Sequence, residues 1–417
     1  MSAATPKVQI SRQQRYSCLQ CGWCCRRFHV LLRPEEIERI RSLPWPDSDR
    51  ALVQDFWHSI NGFPYFRRQA NGACIFLTDA GVCLMHQRFG FDCKALTCRG
   101  YPLNLVSTFP GEISALARMD CPAVLRHQGP LLSESRRDIE ALVAEMRFRD
   151  GFSQRQLDGL QRPAIELLCQ VLLEEIADET LPPGHKACHL WQLLRHWQKL
   201  GAIFLNDLPT LKMVLPSLRE KSRADLADLP KLGLGPFSRA YFRQMLSNYC
   251  QRDEEMLSTG AASRCRRTLQ LLQMFLGGGN LRTFGREHPD FPLAKVQLFR
   301  AETRSQPAAE VWESYWRFLS VRLECFQFFG FAYYELPFFA GLAALLLTYP
   351  LALAHARISA ASQGRTDIAA ADVQYAVASL DHSHGRSPRL KFQFSRNAEN
   401  YFYPARYPYL VFALGMH

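Results

Sequence analysis

The stretch Cys18-Leu19-Gln20-Cys21-Gly22-Trp23-Cys24-Cys25 places four thiols within eight residues near the start of a 417-residue chain. Two residues between cysteines let both sulfurs turn toward one centre, and Gly22 permits the tight backbone that aims amide N–H groups at bound sulfur. The adjacent pair Cys24 and Cys25 adds a constraint. Neighbouring side chains diverge, so either the two reach different metals or one of them is a free thiol. Such crowding is hard to explain without a metal.

The first residues, MSAATPKVQISRQQRY, contain no apolar run of the kind a secretory signal needs, and the expected location is the cytoplasm. Thiols stay reduced there, so a dense cysteine pattern reads as ligands rather than as a disulfide framework. Of fourteen cysteines, nine lie in the first third of the chain: Cys18, Cys21, Cys24, Cys25, Cys74, Cys83, Cys93, Cys98 and Cys121. Cys169, Cys188, Cys250, Cys265 and Cys325 are scattered through helix-like sequence and read as small buried hydrophobes.

The composition shift near residue 125 divides the chain into a tail (1–14), a cysteine-cluster domain (15–125) and a helical domain (126–417). The fold class expected is α+β, a small cysteine-rich module followed by a large all-α part. Within the module, Phe28–Leu32 reads as a strand before a helix opened by Pro34, and Cys74–Leu77 and Val82–Met85 read as the arms of a turn at Asp79-Ala80-Gly81. A second hairpin is expected in LNLVSTFPGEISALAR, turning at Phe109-Pro110-Gly111-Glu112. Beyond it, DIEALVAEMRF, AIELLCQVLLEEIAD, LWQLLRHWQKLGAIFL, RCRRTLQLLQMFL and VWESYWRFLSVRLECFQFF carry apolar residues at helical spacing. The Gly277-Gly278-Gly279 run follows a helical pattern with no strand in front, and reads as an interhelical loop rather than a nucleotide loop.

The run FFAGLAALLLTYPLALAHA is long enough to span a bilayer, but it contains Pro350 and His355 and lacks a flanking basic cluster; a buried central helix is the reading favoured over a membrane span. Lys plus Arg exceed Asp plus Glu by 50 to 39. The basic residues are dispersed, so the excess reads as a solvated surface and indicates no nucleic-acid partner.

Cys18, Cys21 and Cys24 form C-x2-C-x2-C, the opening of the bacterial ferredoxin pattern whose fourth cysteine precedes a proline. The fourth position here is Phe28, so another ligand must come from farther away: Cys121, which is followed by Pro122, or Cys74, Cys83 or Cys98. Structural zinc usually takes two short knuckles, and only one is present. A four-iron–four-sulfur cluster needs four thiolates and leaves the rest for a second centre, so iron–sulfur is favoured over zinc. His29, His58 and His86 are further candidate donors, each more ordinarily a packing or surface residue.

CLQCGWCC, then FHVLLRPEEIERI, CIFLTDAGVCLMH and CRGYPL, resembles the YkgJ-type cysteine-cluster proteins, a family described as zinc- or iron-chelating and recognised by CxxCxxCC. The resemblance spans 18 to about 122 and implies Cys18, Cys21, Cys24, Cys25, Cys74, Cys83 and Cys98 as ligands, with Arg99, Tyr101 and Pro102 completing the last motif. DCKALT stands where the family has an Arg-Pro approach, which leaves Cys93 as an extra thiol. A cysteine cluster followed by a long helical region is also similar in layout to the flagellin lysine N-methylases, which implies an iron–sulfur centre acting with S-adenosylmethionine. The radical S-adenosylmethionine spacing C-x3-C-x2-C is absent.

Two function classes follow. In the first, the module is a structural or electron-carrying metal centre and the helical part binds a protein partner. In the second, the cluster is catalytic, the substrate is a protein, and Tyr333, Tyr334, Glu335, Asp381, His382 and His384 shape a pocket. The residues 381–385, DHSHG, also read as a helix C-terminus closed by Gly385.

Overall fold

The hairpin expected at Phe109–Glu112 forms two of the strands of a three-stranded sheet in the computed structural model, which describes residues 6–229, 234–250, 257, 260–281, 290–296, 298–299, 309–391, 393–403 and 405–414. Strand β1 is Lys7–Ile10; β2 and β3, Trp57–Ile60 and Phe63–Phe66, form a separate hairpin; β4 and β5 are Leu103–Ser107 and Glu112–Ala117. The sheet order is β1-β5-β4, with β4 antiparallel and β1 parallel to β5. Residues 7–10 fall in the stretch expected as a tail, yet they alternate polar and apolar, and Val8 and Ile10 are buried. β5 is buried along its whole length, as a central strand must be.

Two apolar cores are present. The smaller gathers Ile37, Ile40, Trp45, Phe56, Phe66, Phe76 and Met85 around the cysteine module. The larger contains Val8, Ile10, Ile113 and Ala115 of the sheet together with the helices, so the sheet packs as part of the helical body. Polar contacts fix that docking: Ser114 Oγ donates to the Cys325 carbonyl (2.7 Å), Gln327 Nε2 to the Asn104 carbonyl (3.0 Å), and Gln9 Nε2 to the Glu324 carbonyl (2.8 Å). The segment 128–138 is tied in as well, with Leu132 buried and its N–H donating to the Gln14 carbonyl.

The module uses more turns than strands. Leu31 makes one bridge, to Tyr65, and Leu77 one bridge, to Cys83; the arm expected as a strand from Val82 becomes the helix Leu84–Phe89. The β2–β3 hairpin turns at Asn61-Gly62, both with positive φ (53° and 84°), the mirror-image turn that Asn-Gly favours. Helix Pro34–Arg41 starts with Pro at its first turn, where a missing N–H costs nothing.

In the helical part, Arg162–Ala177, Pro183–Asn206, Leu208–Ala224, Glu313–Glu324, Phe338–Leu346, Thr348–Ser362 and Ala370–Ser383 pack around Trp191, Trp197, Trp312 and Tyr315. The apolar run expected at the centre is there: Phe338–Ser362 is long and apolar enough to cross a membrane, and 89% of its most apolar window is covered by protein. The triple glycine at 277–279 follows the helix Ala261–Phe275. Cys169, Cys188, Cys250 and Cys325 are buried, whereas Cys265 is exposed on its helix and does not act as a core residue.

His355 sits in that apolar centre, 3% exposed, and burial pushes its imidazole down to about 4 from 6.5. A histidine buried neutral costs stability on acidification, because the unfolded chain takes up the proton first. We expect the pH dependence of denaturant unfolding to contain a loss of about 2 kcal/mol between pH 7 and pH 5 that His355→Leu removes; parallel curves for the two proteins would refute it.

Candidate metal centre

Gly22 governs the local geometry. It stands at the N-terminal end of the short helix Trp23–Arg27 with φ 65°, and a Cβ there would lie 2.8 Å from the Gly81 carbonyl oxygen and 2.8 Å from Arg26 Nη1. Only glycine lets the cysteine loop lie this close to the Thr78–Val82 turn. Arg26 Nη1 donates to the Cys21 carbonyl (2.8 Å), and Arg68 spans the other end of the helix, donating to the carbonyls of Arg26 (2.7 Å) and Phe28 (2.8 Å). The Cys74 N–H donates to the Cys25 carbonyl (2.7 Å), and the Trp23 indole to the Asp120 carbonyl (3.1 Å). Three distant segments are thereby pinned around the opening loop.

The result is a cavity of about 320 Å³ lined by Cys18, Cys21, Cys24, Cys25, Cys83, Cys98 and Cys121, with Tyr16, His86, Lys94 and Tyr101 between them. Behind it, a cavity of about 360 Å³ meets Cys24, Cys25, Cys74, Cys83 and Cys98 and is otherwise mostly apolar. All eight cysteines expected as ligands therefore line one or both cavities. Cys93 lines neither, nor does His58, while His86 faces the first and His29 the second. Cys24 Sγ and Cys25 Sγ are 4.0 Å apart, so the neighbouring thiols do not diverge as the sequence suggested; a tight helical turn keeps them together. Among the described residues no three His, Cys, Asp or Glu side chains gather tightly enough to hold a single ion.

Burial raises the proton affinity of four of these thiols. Burial pushes the Cys74 thiol up to about 12 and the Cys121 thiol up to about 11. Cys98 is driven well above the ordinary thiol range by burial, and Cys24 by its hydrogen bond with Cys25 and by burial. Lys94 opposes the rise at Cys24 and Cys98 but does not overcome it. Thiolates in this pocket need a stronger positive charge, and a bound metal supplies one. The chemistry of the donor set thus fits a thiolate-ligated metal.

Phe28, at the position where the ferredoxin pattern has cysteine, is a packing residue. Its ring lies 4.9 Å from Tyr101 and stacks on His382 at 5.8 Å, with the Arg118 guanidinium 5.1 Å from its centroid. Asp120, next to Cys121, accepts from Tyr101 Oη (3.2 Å), from His382 Nδ1 (3.2 Å) and from the paired Arg118. Against the cost of burial, Arg118 and His382 hold its carboxyl well below the usual carboxylate range. Tyr16, Arg68, Lys94, Arg118 and Asp120 are the site residues that sequence reading missed. They belong to no motif, and only the proximity of Asp120 to Cys121 hints at any of them.

Of the pocket residues expected in the helical part, Tyr334 and Glu335 line a cavity there, and Glu335 pairs with the exposed Arg149. Asp381 and His382 face the module, through the Met119 N–H and Asp120; Tyr333 stacks on His384 at 4.3 Å. Helix Ala370–Ser383 ends there, followed by Gly385 with φ 75°.

Residues 17–120 match the CxxCxxCC family, whose description proposes a zinc- or iron-chelating domain. No curated protein and no solved structure matches the chain. The resemblance to flagellin lysine N-methylases is thus one of layout alone.

Replacing Gly22 by Ala should destabilise the module by about 1–3 kcal/mol and speed metal loss to a chelator, because it adds both a left-handed alanine and a clash. Gly62→Ala, with φ 84° but open space around the new Cβ, isolates the conformational part. Equal losses in melting temperature and metal retention for the two variants would show that the approach to Gly81 is unimportant.

Proposed function

We propose that the N-terminal module holds an iron–sulfur cluster in the thiol-lined cavity, with Cys18, Cys21 and Cys24 from the opening loop and a fourth thiolate from Cys121. The observation that carries this reading is the ring of seven thiols around one cavity of about 320 Å³. A tetrahedral zinc needs four sulfurs about 2.3 Å from one point, whereas thiols set around a wider cavity suit a polynuclear centre. Tyr16 supports the choice of ligands, since it lines the same cavity and its proton affinity is raised by burial and by Cys18, Cys121 and Cys24 nearby. Cys25, Cys74, Cys83 and Cys98 line the inner cavity and are left for a second centre.

When bound, the cluster supplies one-electron chemistry. The chain's own residues do the holding: Arg26 and Arg68 clamp the loop, Trp23 ties it to the Cys121 segment, and Lys94 offsets part of the thiolate charge. Cys18 and Cys21 are exposed, which leaves the outer edge of the centre open to a redox partner. The helical part offers the surface for a protein partner or protein substrate, and a reducing cytoplasm keeps the thiols available.

Protein purified without oxygen should be brown and contain iron and acid-labile sulfide in similar amounts. Cys21→Ser and Cys121→Ser should lose both, while Cys93→Ser and Cys169→Ser retain them. Colourless protein carrying only zinc would overturn the iron–sulfur assignment and keep the site, and wild-type metal content in Cys21→Ser would overturn the site itself.

A further inference from the structure

The helical part contains a cavity of about 510 Å³ that the metal centre does not use. One wall is apolar, built from Leu336, Pro337, Ala340, Ala343 and Leu347. Glu399, only 5% exposed, lines it from the helix Gln393–Phe402. Its Oε1 accepts from Tyr333 Oη (2.8 Å) and Tyr249 Oη (3.3 Å). Its other oxygen has no hydrogen-bond donor among the described residues and is not sealed in the core, so it opens on the cavity. Burial pushes the carboxyl up to about 7 despite both tyrosines and the nearby Arg396, so its charge is only partly compensated.

Arg396 stands one turn before Glu399 on the same helix and also lines the cavity. It makes no ion pair with Glu399; it donates to the Leu390 carbonyl (2.9 Å), and its guanidinium lies 5.6 Å from the Tyr334 ring centroid. Arg155 is exposed at the rim. The opposite lip is strained: Tyr334 and Glu335 are consecutive residues with φ 51° and 60°. Close by, the Ala332 carbonyl is pressed so near Gly385 that a Cβ there would be 2.2 Å away. Strain of this kind persists where surrounding packing enforces it, and it gathers at ligand sites.

These charges select among ligands. A simple amine would meet repulsion from Arg396 and Arg155, and a simple carboxylate from Glu399 and from Glu335, which also lines the cavity and is paired with Arg149. A molecule bearing both groups satisfies both ends. Glu399 and Arg396 are three residues apart on one helix, about 4.5 Å along the axis, a span suited to amino and carboxyl groups joined through one or two carbons. We propose that this cavity binds a small zwitterion of the free amino acid class, its ammonium on Glu399, its carboxylate on Arg396 with Arg155 at the rim, and its side chain against the apolar wall. The proposal stands on residues remote in sequence from the cysteine loop and does not depend on which metal the module holds.

The test uses the full-length, metal-loaded protein. Each of the standard L-amino acids is screened at millimolar concentration by thermal shift, and binders are titrated by calorimetry against their decarboxylated amine and deaminated acid. At least one amino acid should bind, with both analogues weaker by roughly tenfold or more. Glu399→Gln keeps an acceptor for the two tyrosines, and it and Arg396→Gln should each lose roughly tenfold or more in affinity while retaining wild-type metal content. No binding by any amino acid, equal binding of either analogue, or unchanged affinity in both variants would overturn the proposal.

Discussion

The buried Asp120 carboxylate is the joint on which the two cores depend. Its carbonyl holds the Trp23 indole of the cysteine loop, and its side chain takes Arg118 at the end of β5, Tyr101 beside Cys98, and His382 of the helical part. It is 2% exposed, and removing one partner of such a buried network typically costs about 3–5 kcal/mol because the other charge is left without compensation. A second buried pair, Arg322 with Asp381, continues the network inward, and the Met119 N–H donates to the same Asp381 (2.6 Å). The cysteine loop is therefore held to this network, through the Asp120 backbone carbonyl, as well as by its own backbone.

This arrangement compensates for a small core. The module buries few large apolar side chains, centred on Phe56, Phe66 and Phe76, and many of its connections are single bridges rather than ladders. A body of that size leans on ligation for stability. The helical part is built differently, with a continuous apolar core around Trp191, Trp197 and the Phe338–Ser362 run. That difference places the raised thiols in a rigid frame: the helical body fixes Cys121 and Asp120, while the module brings Cys18, Cys21 and Cys24 to meet them.

Both cavities follow the same logic. Each has charged or ionisable groups that burial leaves short of a counter-ion, thiols in one and Glu399 in the other, and each is bounded by left-handed residues, Gln20 and Gly22 at the first and Tyr334 and Glu335 at the second. The two are joined through the C-terminal end of the Ala370–Ser383 helix. His382 reaches Asp120 there, and His384 stacks on Tyr333, whose hydroxyl donates to Glu399.

Features set by near neighbours along the chain are legible in the sequence itself. The C-x2-C-x2-C-C spacing, the glycine it requires, the Pro110-Gly111 turn and the helical periodicity beyond residue 130 all act over a few residues, where backbone geometry leaves little choice. Eight cysteines stand out as candidate ligands because thiols are scarce and have few other uses in a reduced chain, and the fold brings all eight to two adjoining cavities. The pairing of Lys7–Ile10 with β5 was decided only by tertiary structure, since four alternating residues carry no address for a partner a hundred positions away. The same holds for Phe28 as a packing residue, for Tyr16 and Asp120 at the metal centre, and for Glu399 and Arg396 beside an apolar wall. Their roles come from desolvation and long-range contact, which exist only once the chain has closed around them.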